Sequence, residues 1–289
     1  MNISLVTSTM HRPRQIGELL ESLKNQSIPA IQIIVVDQSS DDSTEKVVKS
    51  FEGSLPVIYI RDSRKGLSRG RNLGLEHVTG DIVAFPDDDC IYPKDTLKRV
   101  HTAFLNDEEM GVYTGMSVTL TGEPSQGRWG TVPHVINRFN IWISQTSYTT
   151  FYRSPTLNKA GRFNEHLGVG SGTVWGAGEE TELLLRALRE GAKGFYDPAL
   201  RIMHPEPLAI FDEAAMKRGR LYNRGFGRVM RMEAYPLWFV AYLAGRPLAG
   251  ALAALAKGKL GQARYRACAF YERLRGWADS PNLHERHNY

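Results

Sequence analysis

The sequence contains only two cysteines in 289 residues, Cys90 and Cys268. That excludes a disulfide framework and a cysteine-type zinc site, and it fits a reducing, cytoplasmic setting. There is no internal repeat and no low-complexity tract. No apolar run reaches the roughly 20 residues of a spanning helix. "PLWFVAYLAG" (236–245) is interrupted by Arg246-Pro247, and "LAGALAALA" (248–256) is short. The opening stretch, MNISLVTST, has no basic region followed by a long apolar run, and it reads as a strand rather than a signal peptide.

What is present is an ordinary globular composition, 42% hydrophobic and 23% charged, in a chain long enough for a sizeable core and one or two domains. The net charge of +5 is unevenly placed. Residues 217–289 hold 14 basic and 4 acidic residues, a net of +10, whereas residues 1–216 hold 22 and 27, a net of −5. The basic character belongs to the tail and points to an anionic partner. Without a recognition motif beside the charge, nucleic acid is not the expected one. Beyond Pro247, apolar residues at helical spacing beside Lys and Arg suit a helix lying in a membrane interface; an appendage packed on the catalytic core is the other reading.

The first 105 residues alternate between strand and helix patterns. "ISLVTS", "IQIIVVD", "VIYIR" and "DIVAFP" read as strands. Between them, Pro13–Gln26 places Ile16, Leu19, Leu20 and Leu23 on one helical face. Asp42 and Glu45 have capping-box spacing before a second helix, and Ser68–His77 reads as a third. Asp95–Leu105 follows as a fourth. This order implies a mostly parallel mixed sheet between helices, an α/β/α sandwich, with ligands beyond the carboxyl ends of the strands. Thr7, Asp37 and the run Asp87-Asp88-Asp89 fall at such ends.

Three adjacent carboxylates repel one another. A divalent cation among their oxygens makes the run tolerable, and Mg2+ or Mn2+ held by Asp keeps positions open for phosphate oxygens. A solvated acidic turn is the simpler alternative. Arg71 falls in the first turns of a helix, where it can hold phosphate or pair with the Asp run. Further on, "GAGEETELLLRAL" puts Glu179 and Glu180 in a helix's first turn, where acids are favoured for electrostatic reasons alone. Trp175 precedes them and can stack on a sugar or pack in a core.

Residues 3–205 resemble a family 2 glycosyltransferase of the GT-A fold. The matching pieces are "SLVTSTMHRPRQIGELLESLKNQS", "IIVVDQSSDDST", "GLSRGRNLGL", "GDIVAFPDDDCIYP" and "GAGEETELLLRAL", in order and at matching spacing. The resemblance implies a nucleotide-sugar donor, with a UDP-sugar favoured, and Mn2+ or Mg2+. It assigns Thr7 and Asp37 to the nucleotide base, Arg71, Asp87 and Asp88 to the donor, and Asp89 to the metal, with His204 completing the metal site. By position Glu180 matches the catalytic base, with Glu179 as the alternative. Residues 1–205 are then the catalytic domain and 206–289 a basic helical tail, peripheral on the inner face of the cell membrane. The expected reaction is inverting transfer to a glycan or polyprenyl-linked acceptor in cell-surface polysaccharide synthesis. A sugar nucleotidyltransferase would want a glycine-rich phosphate loop after the first strand, and "TSTMHRPRQ" has no glycine. A non-catalytic nucleotide- or sugar-binding module would not need both the acidic pair and the Asp run.

Overall fold

The computed structural model describes residues 1–206 and 210–280. The first part alternates: β1 (Ile3–Thr9), α1 (Pro13–Lys24), β2 (Gln32–Asp37), α2 (Ser43–Lys49), β3 (Val57–Arg61), α3 (Leu67–Leu75), β4 (Ile82–Ala84) and α4 (Thr96–Asn106). There follow β5 (Met110–Val118), β6 (His134–Val135), β7 (Thr150–Arg153), α5 (Ser154–Ala160), α6 (Glu179–Arg189) and β8 (Lys193–Met203). The helices α7 (Glu213–Met232), α8 (Leu237–Ala256) and α9 (Leu260–Ala278) complete the described chain. Two compact units result, and they do not follow chain order. The first contains Met1–Lys65, Arg69–Phe163 and Leu183–Glu206; the second contains Gly66–Ser68, Asn164–Glu182 and the described residues of 207–289.

The first unit is built on a sheet with strand order β3-β2-β1-β4-β7-β5-β8-β6. β1 pairs in parallel with β2 and β4, β2 with β3, and β5 with β8. β7 runs antiparallel between β4 and β5, and β6 antiparallel to β8. The sheet is thus mixed and mostly parallel, as the early alternation implies. All six residues of β2 are buried, the mark of a strand covered on both faces. On α1, Ile16, Leu19, Leu20 and Leu23 form the buried stripe and join Leu5, Ile33 and Val35 of the sheet in one core with Leu97, Val100 and Phe104 of α4.

The capping box expected at Asp42 and Glu45 does not form. The Asp42 side chain makes no cap bond. It pairs instead with Lys46 at 2.9 Å, and Glu45 with Lys49 at 2.6 Å. Ion pairs four residues apart on an exposed helix compete for the same carboxylates.

In the second unit, α7 and α9 touch backbone to backbone. A side chain at Gly227 would strike the Arg273 carbonyl, and one at Gly276 the Arg224 carbonyl. α8 runs unbroken through Pro247, contrary to the interruption read from the sequence. Proline deprives the carbonyl four residues earlier of its helical donor. Here that carbonyl belongs to Leu243, and Arg273 Nη1 donates to it at 2.8 Å. Arg273 Nε is held on Asn223 Oδ1 at 2.9 Å. Burial brings the Arg273 guanidinium down to a pKa of about 10, so it stays protonated at neutral pH.

Gly115 lies where the β5–β8 register shifts, and a Cβ there would collide with the Leu200 carbonyl and side chain. Gly115→Ala is expected to cost about 1–3 kcal/mol, the usual penalty of overpacking. Urea unfolding checks this, with Gly127→Ala, where an added Cβ meets nothing within 4 Å, as the neutral control. Equal midpoints for the two variants would contradict the close approach.

Candidate active site

In the first unit, β1, β2 and β4 run in parallel side by side, so their carboxyl ends share one edge of the sheet. Asp37 ends β2 and is fully buried. Its Oδ1 accepts from the Ser39 backbone N–H at 2.9 Å, and its Oδ2 accepts from the Tyr59 hydroxyl at 2.8 Å. A carboxylate has about four acceptor positions, so capacity remains for a ligand. Thr7 on β1 is also buried and donates its hydroxyl to the Pro86 carbonyl at 3.1 Å, which ties β1 to the segment after β4.

That segment carries the three carboxylates. Cys90 N–H closes a turn onto the Asp87 carbonyl at 3.1 Å, and Ile91 bridges to Met203 at the end of β8. Each acid has its own partners. Asp87 Oδ1 accepts from Arg71 Nη2 at 2.7 Å and from Ser147 Oγ at 3.2 Å. Arg71 is 1% exposed, with its guanidinium carbon 5.3 Å from the Phe163 ring centre. Asp88 accepts from Thr9 Oγ1 at 2.7 Å and from Arg12 Nη1 at 2.6 Å. Asp89 accepts from Arg12 Nη2 at 2.6 Å and lies 3.0 Å from His204 Nε2. One guanidinium therefore forks across two neighbouring carboxylates.

The electrostatics separate the acids. Burial pushes the Asp88 carboxyl up to about 6, against the pull of Arg12 and Thr9. Burial also pushes Asp89 upward, but the hydrogen bonds and charges of His204 and Arg12 together outweigh it and hold the group at about 2. The His204 imidazole is lowered by burial, yet Asp89 more than compensates, and its pKa ends above the ordinary value. His204 stacks on Tyr148, with ring centres 4.8 Å apart. Its Nδ1 lies 2.8 Å from the Pro205 carbonyl. A proton on Nδ1 satisfies that contact and one on Nε2 donates to Asp89, the charged form that the carboxylate favours; a bound cation would take the place of the Nε2 proton.

Among the described residues, no group of three or more His, Cys, Asp or Glu side chains forms a ready cage for a cation. Asp89 and His204 supply one oxygen and one nitrogen donor. Such a short donor set fits Mn2+ or Mg2+ completed by phosphate oxygens and water, rather than a fully protein-enclosed ion.

The acidic pair belongs to the second unit. Gly168 (φ +96°) and Gly178 (φ +97°) take left-handed backbone that suits glycine, and they shape the approach to α6. A Cβ on Gly168 would come within 2.9 Å of Glu179 Oε2, so the buried Glu179 carboxylate lies against that glycine. Glu180 is only half-buried. Trp175 is 2% exposed and donates its indole N–H to Asp279 Oδ2 at 2.8 Å. Of its two sequence readings, packing is the one this environment shows.

The sequence expectations brought Asp87, Asp88, Asp89, Arg71 and His204 to one place, and the structure joins them through direct contacts. Arg12, Thr9, Ser147 and Tyr148 were not anticipated. "HRPR" lies just beyond the end of β1, and a strand-end argument applied to β1 as well as β4 would have pointed to Arg12. Ser147 and Tyr148 come from the irregular middle of the chain and carry no such signal.

A family model described as Glycosyl transferase family 2 matches residues 4–169. The minor teichoic acid biosynthesis protein GgaA of Bacillus subtilis (strain 168) is 29% identical over 187 residues, 60% of this chain and 41% of that protein. The chain thus spans less than half the length of that relative. Among solved structures, Staphylococcus aureus TarS 1–349 in complex with UDP-GlcNAc aligns with a TM-score of 0.62 at 17% identity, covering 94% of this chain and 92% of that one. The mannosyltransferase PcManGT from Pyrobaculum calidifontis, in complex with GDP-Man and Mn2+, aligns at 0.67 and 18% identity, covering 96% and 88%. At these identities the two structures show a shared fold.

Proposed function

The chain belongs to glycosyl transferase family 2, and from that premise we propose that it is a metal-dependent, inverting glycosyltransferase in cell-surface polysaccharide synthesis. The observation that carries the reading is the meeting of Asp89 and His204, from the ends of two different elements, at 3.0 Å. The favoured donor is a UDP-sugar; UDP-GlcNAc bound to a structure of the same fold supports it. GDP-Man and Mn2+ in another neighbour support a nucleotide-sugar donor and a divalent cation.

In this reading Asp37 and Thr7 receive the nucleotide base, Asp87 the ribose, and Arg71 and Asp88 order the donor pocket around them. Asp89 and His204 would hold Mn2+ or Mg2+. Such a cation, when bound, supplies the charge that offsets the departing diphosphate. Arg12 keeps Asp88 and Asp89 at a fixed separation. Glu180 takes the proton from the attacking acceptor hydroxyl. Its partial exposure supports that role over the buried Glu179. The proposed acceptor is a glycan or a polyprenyl-linked sugar.

The partner surface we assign to the second unit is an anionic membrane face. α8 is long and apolar enough to cross a membrane by length and composition, with a mean hydropathy of 1.5. Its inner side packs through Phe239, Val240, Leu243, Ala244, Ala251 and Ala254. A helix with one side packed on its own unit suits the interface better than the bilayer interior. Its outer side exposes Leu237 (69%), Trp238 (63%), Tyr242 (56%) and Leu252 (61%). Lys257, Lys259 and Arg264 are exposed just beyond it. That combination is an apolar stripe for insertion with basic residues for acidic headgroups.

Three outcomes follow. Isothermal calorimetry with UDP and Mn2+ should show at least tenfold weaker binding for Asp89→Asn than for the wild type; equal, metal-independent affinity in both would end the metal-site reading. Glu180→Gln should keep UDP affinity and lose about 10²–10⁴ in transfer rate. If Glu179→Gln is inactive while Glu180→Gln is not, the role passes to Glu179. The full chain should co-sediment with phosphatidylglycerol vesicles and be partly released by high salt, since each basic residue near an anionic surface contributes about 1 kcal/mol. Trp238→Glu with Leu252→Glu should weaken the salt-resistant part. A wild-type chain left in the supernatant at low salt would remove the membrane from the proposal.

A further inference from the structure

Trp175 lies four residues before Glu179, and its surroundings are unusually elaborate for a packed indole. Asp279, just past the end of α9, accepts the indole N–H. The same carboxylate takes a two-pronged bond from Arg224 of α7, Nε to Oδ2 at 2.8 Å and Nη2 to Oδ1 at 2.9 Å. Arg228, one turn further along α7, places its guanidinium 4.6 Å from the Trp175 ring centre and donates to the Asp279 carbonyl at 3.2 Å. Trp175, Arg224, Arg228 and Asp279 are all buried. One ring is therefore fixed at its edge by a carboxylate and on its face by a cation.

The backbone carries this constraint to the acidic pair without a gap. The Trp175 carbonyl accepts from Gly168 N–H at 3.0 Å, and its own N–H donates to Thr173 Oγ1 at 3.1 Å. Gly176 N–H donates to the Leu221 carbonyl at 3.1 Å. The Ala177 carbonyl lies against Gly225, where a side chain would collide with it. Gly178 then packs on Val229, and its carbonyl accepts from Glu182 N–H at 2.9 Å, starting α6. Each residue from Trp175 to Gly178 is thus tied to α7 or to the start of α6.

We propose that Asp279 is a positioning residue: acting through Trp175, with Arg224 and Arg228, it fixes the segment 168–182 and so sets the placement of Glu179 and Glu180. The inference rests on the acidic pair providing the base. Removing one partner of a buried ion pair leaves the others uncompensated, so the loss should appear in the order of the segment they hold and in turnover. The residues proposed for the nucleotide lie in the first unit, and nucleotide affinity should not follow.

The test uses the full chain in two variants. Trp175→Phe keeps a ring beneath Arg228 but removes the indole donor and part of the ring's volume; Asp279→Asn keeps an acceptor and the side-chain size and deletes the charge. Amide hydrogen exchange of peptides covering 168–182 is followed by mass spectrometry, beside UDP affinity with Mn2+ and UDP release from UDP-GlcNAc. Exchange in 168–182 should quicken at least tenfold in both variants, while peptides from residues 1–60 and UDP affinity stay within twofold of wild type. Release at saturating donor should fall at least tenfold. Unchanged exchange overturns the proposal. So does quickened exchange with undiminished release, or a loss of UDP affinity in step with release, which would mark the pair as general packing. Glu180→Gln and Glu179→Gln are run alongside. If both match wild type in release, the base assignment fails, and the hold of Asp279 on the segment is judged on exchange alone.

Discussion

Three adjacent carboxylates at a strand end repel one another, and here each is met by a counter-charge or a donor. Asp87 has Arg71 and Ser147, Asp88 has Thr9 and one arm of Arg12, and Asp89 has the other arm of Arg12 and His204. These partners come from β1, the loop after it, α3, the segment before β7 and the residue after β8. Strand order β1-β4-β7-β5-β8 is what lets so many elements reach one turn. The repulsion within the Asp run thus sets a requirement that the fold of the first unit satisfies by drawing two arginines, a histidine and two hydroxyls to one turn.

Much of this was legible in the sequence. β1 to β4 were readable from their apolar runs, and the Asp run from its position after β4. His204 joined the site on resemblance alone, because a strand's end in sequence does not say which other strand ends beside it. The antiparallel entry of β7 between β4 and β5 lies in a stretch with weak periodicity and was not foreseen in detail. Arg12 was passed over for a physical reason: a lone arginine near a helix start looks like surface charge until the neighbouring strand brings two acids beneath it. Asp42 failed in the opposite direction, since its spacing matched a cap while Lys46 lay in reach of the same carboxylate.

The second unit shows where local rules yield to packing. Pro247 reads as a break, and for an isolated helix it would weaken the turn. Arg273, 26 residues later, restores the missing donor, which no window-based reading can see. Trp175 illustrates the same point for function. An aromatic residue beside an acidic pair invites a sugar-stacking role, but the residues that claim its ring, Arg224, Arg228 and Asp279, lie 49 to 104 positions away in the chain.

The repair at Pro247 also makes the straight course of α8 depend on the helix docked beside it. A peptide corresponding to α8 alone carries the same apolar residues but no donor for the Leu243 carbonyl, so it has no reason to remain one straight rod. Only when α9 has docked does Arg273 reach that carbonyl and align Leu237, Trp238, Tyr242 and Leu252 along a single side. The greasy surface is therefore a product of the assembled helices and not of the segment. A chain without its last helix lacks the donor for the Leu243 carbonyl, so the exposed row of Leu237, Trp238, Tyr242 and Leu252 owes its alignment to a residue of a different helix.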